Sequence, residues 1–115
     1  MSGSDPVLNR KLVLETPVPV SDGAGGARQN WSSLGVVWAE VRASSGREAE
    51  EGAVAVSSGA YQITVRAAPP GRLNRPRPDQ RFRENERVFR ILAVVETGTD
   101  GRFLTCFARE EEIAP

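Results

Sequence analysis

The residues of this 115-residue sequence that could do chemistry are one cysteine, two clusters of carboxylates, a glycine-rich loop and a run of arginines; histidine is absent. Without histidine the chain lacks Ser-His and Cys-His pairs, the usual general base near neutral pH and the commonest zinc ligand. A single thiol forms neither an intrachain disulfide nor a thiolate metal cage. Cys106 lies within Phe103-Leu104-Thr105-Cys106-Phe107, a setting that reads as a buried, inert sulfur. Glu48, Glu50 and Glu51, and Glu110 to Glu112, bring carboxylates close in sequence. On a helix Glu50 and Glu51 diverge, and the terminal trio reads as solvated, so no hydrolytic carboxylate pair is expected. Gly23, Gly25 and Gly26 have no Gly-Lys-Ser/Thr after them and no strand–helix–strand unit around them, which argues against a phosphate cradle. The expectation is a protein with no catalytic residue, no cofactor and no metal.

Arginine is the remaining candidate. Fifteen basic and fifteen acidic residues cancel over the chain, and all the basic residues but Lys11 are arginine. The balance is uneven along the sequence: residues 66–90 hold eight arginines against three carboxylates. Separated patches of opposite sign suit packing between copies as well as they suit a polyanion. Phe82 and Phe89, near these arginines, could stack on bases, which leaves a small β-barrel that binds single-stranded nucleic acid as a rival reading. Five phosphate contacts by such a module would give a salt slope of about −3.5.

The elements that must position these groups read as strands. Leu12-Val13-Leu14-Glu15 is a short strand that Pro17 and Pro19 stop. Residues 18–33 then form a flexible loop around Ser-Asp-Gly-Ala-Gly-Gly. Over residues 34–43, Val37, Ala39, Val41 and Ala43 share one face, with Val36, Trp38, Glu40 and Arg42 on the other. Ser45 with Glu48 has capping-box spacing, which opens one short helix over 48–52. Tyr61, Ile63, Val65 and Ala67 mark the next strand, which ends at Pro69-Pro70-Gly71. With Pro76 and Pro78 inside it, the segment 72–86 is expected to be an extended arm or a long loop. A closing hairpin puts Phe89, Ile91, Ala93 and Val95 on one face, turns at Thr97-Gly98-Thr99-Asp100-Gly101, and returns with Phe103, Thr105 and Phe107. The fold class is mainly β: a small antiparallel barrel or sandwich of five or six strands with long loops and one short helix. It forms one domain over residues 1–115, with 1–9 as a flexible tail. No run of 18 apolar residues and no apolar leader core occur, so neither a spanning helix, a signal peptide nor a membrane partner is expected.

The order of the motifs resembles the phage head-tail joining family, the head-closure or stopper proteins of long-tailed phages and phage-like gene transfer agents. The resemblance runs through Leu12-Val13-Leu14-Glu15, Asp22-Gly23-Ala24-Gly25-Gly26, Trp31 and Val37-Trp38-Ala39-Glu40-Val41. It continues through Ser45-Gly46-Arg47-Glu48, Tyr61-Gln62-Ile63-Thr64-Val65-Arg66 and Arg87-Val88-Phe89-Arg90-Ile91-Leu92 to the acidic tail. The arm at 72–86 is richer in proline and arginine than the family pattern, and the segment after Glu48 is smaller and richer in alanine.

The resemblance implies a non-enzymatic β-barrel that assembles into a ring of six or twelve copies in the particle neck. Its implied partners are portal and adaptor proteins on the head side and tail-terminator or tail-tube proteins on the tail side. Packaged double-stranded DNA would pass through the channel with non-specific contact only, retained until ejection, and assembly would take place in the bacterial cytoplasm. Ser45, Gly46, Arg47, Glu48, Glu50 and Glu51 are the candidate channel gate, whose glutamates would repel DNA. Asp22, Gly23, Gly25, Gly26 and Trp31 are candidates for contact with a neighbouring ring. Arg72, Arg75, Arg77, Arg81 and Arg83 are the candidate arm facing a partner or DNA. Deleting 72–86 is then expected to abolish joining while leaving the monomer folded. A tail-terminator or adaptor subunit of the same neck is the nearest alternative, and a largely helical structure would point to the adaptor.

Overall fold

The computed structural model describes residues 5–21, 27–44 and 59–111. Six strands are seen: β1 (Arg10–Ser21), β2 (Ala27–Ala43), β3 (Ala60–Arg66), β4 (Arg81–Glu84), β5 (Arg87–Thr97) and β6 (Phe103–Glu111). They pair antiparallel throughout and close into a barrel in the order β1-β2-β3-β6-β5-β4. Closure removes sheet edges within the barrel. No helix occurs among the described residues, and the short helix expected at 48–52 lies outside them.

Period-two alternation builds the interior. Leu12 and Leu14 of β1, Ala39 of β2, Ile63 and Val65 of β3, Phe82 of β4, Phe89 and Ile91 of β5, and Leu104, Cys106 and Ala108 of β6 form the core. Val37, Val41 and Tyr61 pack against it as expected. In β5 the expected face holds only to Ile91. A register shift between Ile91 and Ala93 inserts Leu92 as an extra residue, so the phase flips: Val94 packs on the core while Ala93 and Val95 face out. β6 turns Leu104, Cys106 and Ala108 inward, which leaves Phe107 exposed. Phe103 and Thr105 lie on the outward phase but are buried.

Two expected loops are different. Residues 16–21 and 27–33 are paired strand, from Thr16 opposite Ser32 to Ser21 opposite Ala27. Pro17 and Pro19 do not end β1, because beyond Glu15 it has, among the described residues, a partner on one side only. Prolines two residues apart fall in the same ladder phase, so the donors they lack can lie on the unpartnered side. The result is a two-stranded ribbon continuing from the barrel wall. It begins at a second register shift, where Leu14 faces Gly35 and Glu15 faces Ser33. Gly35 has φ of 135°, a conformation that glycine adopts without a side-chain clash.

The arm expected at 72–86 is also not free. Arg81-Phe82-Arg83-Glu84 is β4, which pairs with both β1 and β5 and closes the barrel. The preceding turns are docked. Pro76 is fully buried, Arg75 Nη1 donates to the Ala68 carbonyl, the Asp79 amide donates to the Ile91 carbonyl, and the Ile91 amide donates to the Gln80 carbonyl. Removing 72–86 therefore takes out a barrel stave, and the monomer is not expected to stay folded without it.

Candidate functional site

The polar chemistry of the molecule is concentrated where β1, β4 and β5 meet the root of the ribbon. Arg81 and Arg83 stand two apart on β4, so both guanidiniums lie on one face with Phe82 on the other. That face meets β1 at Glu15, whose carboxylate accepts from Arg81 Nε at 2.6 Å and from Arg83 Nε at 2.8 Å. Burial alone would push the Glu15 carboxyl up. The two guanidinium hydrogen bonds outweigh it and hold the carboxyl below its ordinary value. Trp31, on the ribbon opposite Pro17, has the Arg81 guanidinium 4.1 Å over its ring and that of Arg90 at 5.7 Å. A carboxylate, two arginines and an indole thus tie the ribbon to the barrel.

A second chain of ion pairs crosses the barrel end. Arg10 donates twice to Glu84, at 2.7 and 2.8 Å. Arg87 makes a two-point contact with Glu110, at 2.9 and 3.1 Å, and a 3.2 Å bond to the Tyr61 hydroxyl. These hydrogen bonds hold Glu84 and Glu110 below the usual carboxylate range and raise Arg10 and Arg87. Cys106 has no exposure, and burial pushes its thiol up to about 12. Every titratable group with a resolved shift is therefore held further from titration at neutral pH.

The expected arginine arm divides. Arg75, Arg81, Arg83, Arg87 and Arg90 each have a carboxylate within 4.0 Å. Arg66 lies 5.8 Å over the Phe103 ring. Within residues 66–90 that leaves Arg72 and Arg77 as exposed cations with neither a carboxylate that close nor a ring beneath them. The net positive segment is thus largely neutralised within the fold. Phe82 and Phe89 are both fully buried, which removes the base-stacking role considered for them. Of the expected site residues the structure brings Trp31 and Arg81 together. Asp22, Gly23, Gly25 and Gly26, and Ser45, Gly46, Arg47, Glu48, Glu50 and Glu51, lie outside the described residues.

The outer face of β2, β3, β6 and β5 carries a polar groove of ≈ 760 Å³. Its floor is a threonine ladder: the Thr105 hydroxyl lies 3.3 Å from that of Thr64 and 3.2 Å from that of Thr97. Asp5 and Pro6, expected within a flexible tail, line this groove. The Val7 amide donates to Glu40 at 3.1 Å, and Asp5 lies 3.7 Å from Arg102. Outward-facing apolar side chains stand elsewhere, at Val36 and Trp38 on β2, Leu92 and Val95 on β5, and Phe107 on β6.

Sequence reasoning singled out neither Glu15 nor the pairs Arg10–Glu84 and Arg87–Glu110. The signal for Glu15 was the Arg-Phe-Arg alternation at 81–83, which prolines 76 and 78 made look like loop. No local signal links Arg87 to Glu110, since the barrel joins them across 23 residues.

Comparison with known proteins is consistent over most of the chain. The profile of the phage head completion protein family matches residues 4–111. A chain of the virion of a native gene transfer agent particle is 53% identical, with a TM-score of 0.75, covering 96% of this chain and 100% of that one. The solution structure of protein SF1141 from Shigella flexneri 2a is 19% identical, with a TM-score of 0.68, covering 90% of this chain and 92% of that one. It shares the fold. No curated protein gives a match. The chain belongs to the phage head completion protein family.

Proposed function

We propose that this protein is a structural subunit of the particle neck, where it closes the DNA-filled head and joins it to the tail. The observation that carries this reading is the 53% identity to a virion chain that is matched along its full length, together with the family. In this role copies form a closed ring of six or twelve, set between portal and adaptor proteins above and tail-terminator or tail-tube proteins below. DNA passes through the ring and is retained until ejection. The subunit acts by shape and transforms no substrate. In support, its shifted carboxylates and arginines are locked in their charged forms and its thiol is inert near neutral pH. An all-strand fold over the described residues fits a head-closure subunit better than a helical adaptor.

The test is a particle preparation from cells lacking this chain. Filled heads and finished tails are expected to accumulate separately, with DNA lost from the heads, and the supplied protein restores joining. Intact tailed particles in its absence would overturn the proposal.

A further inference from the structure

A cleft of ≈ 440 Å³ opens where the start of β1 meets the end of β4 and the turn after it. Three cations, Arg10, Lys11 and Arg83, line it with the amides of Asn9 and Asn85, against one carboxylate, Glu84. That carboxylate already accepts two bonds from Arg10. Arg83 shares Glu15 with Arg81, so this trio keeps one surplus positive charge. Among the described residues no carboxylate lies within 4.0 Å of Lys11. Glu86, in the turn beyond Asn85, does not line the cleft. Donors here outnumber the acceptors offered to them, which is the setting for an oxyanion.

An aromatic ring stands beside the cleft. The ladder puts Lys11 directly opposite Trp38, and Val13 opposite both Val36 and Arg83. Since Leu12, Leu14, Ala39 and Phe82 face the core, alternation brings Lys11, Trp38 and Arg83 to the outer face together. Trp38 is 54% exposed, whereas Trp31 has the Arg81 guanidinium over its ring. One carboxylate adjoins Trp38 along β2, that of Glu40, and it accepts from the Val7 amide. Opposite residues of neighbouring strands have Cβ atoms about 4.5–5.5 Å apart, within the span of one nucleotide from phosphate to base.

We propose that this face binds single-stranded nucleic acid, with a phosphate held by Lys11 and Arg83 and the adjoining base stacked on Trp38. Duplex bases keep their faces stacked on one another, so only an unpaired base offers one to the indole. An apolar protein surface fits less well, because seating it would desolvate Lys11 and Arg83 without adding an acceptor. The site goes beyond the neck role and does not depend on the number of copies.

The test is fluorescence anisotropy of a labelled strand of about ten deoxythymidines, titrated with the isolated full-length chain between about 50 and 200 mM salt. Two phosphate contacts should give a slope of log K on log salt of about −1.4. K11Q should weaken binding and bring the slope to about −0.7. W38L should weaken binding about 5- to 100-fold with the slope unchanged. W38F, which keeps a ring and covers the case in which W38L does not fold, should show a smaller loss. Equal affinity for the same strand paired with its complement, or binding that neither K11Q nor the Trp38 variants change, would overturn the proposal. No binding at about 50 mM salt would overturn it too and assign the face to a protein contact, leaving the neck reading to its own particle assay.

Discussion

The barrel and the ribbon are made from the same two strands, yet they are stabilised in different ways. Within the barrel β1 and β2 have neighbours on both sides and turn Leu12, Leu14 and Ala39 into a closed core. Beyond Glu15 and before Ala39 they have, among the described residues, only each other. A two-stranded sheet is marginal alone in water, and the ribbon is held at its root by Trp31, Arg81 and the Glu15 carboxylate. Hydrophobic burial thus determines whether the chain folds. Electrostatic and stacking contacts determine where the ribbon points.

The largest effect should come from breaking the barrel side of this contrast. Phe82→Ala empties a fully buried site on the closing strand and should cost about 3–5 kcal/mol, read as a fall in the denaturant midpoint of the isolated chain. Deleting 72–86 should abolish the folded circular dichroism spectrum altogether. A truncated chain that melted like the intact one would show that β4 is dispensable.

Glu15→Gln tests the joint. It leaves Arg81 and Arg83 facing a neutral amide, and because both are partly exposed the cost should be about 1–3 kcal/mol. Acid acts on the same groups. Glu15, Glu84 and Glu110 have folded pKa values below the ordinary 4.5. Their contribution is complete above that pH and is lost as pH falls through the lowered folded values. With no histidine, the thermal midpoint should be flat between about pH 6 and 8. A steep loss in that window would show that another group controls stability.

Trp31→Ala should sharpen the contrast. Losing about 1–2 kcal/mol at the root should speed amide exchange in residues 16–21 and 27–33 several-fold, with β3, β5 and β6 unchanged. Equal acceleration everywhere would mean that ribbon and barrel open together. The smallest effect is expected from Arg72→Ala with Arg77→Ala. Stability should move by no more than about 0.5 kcal/mol. If both touch phosphates, their loss should reduce the salt slope for single-stranded oligonucleotides by about 1.4.

The barrel was largely legible in the sequence because alternation at 37–41, 61–67 and 87–91 reports a buried face directly. The discrepancies have specific causes. Pro17 and Pro19 read as strand ends, since the chain alone does not reveal that one side of β1 lacks a partner. Four residues at 81–84, between two prolines and an Asn-Glu turn, are too few to show a period. Leu92 looks like any other strand residue, yet as a bulge it reverses the phase of everything after it. The arginines read as a free basic patch because Glu15 and Glu110, which neutralise them, are distant in sequence. Only the closed barrel brings these charges together.

The most direct test of the account is an electron cryo-microscopy map of the particle neck, with this chain located by its density. The account predicts a closed ring of identical copies between head and tail. A single copy, or density away from the neck, would contradict it.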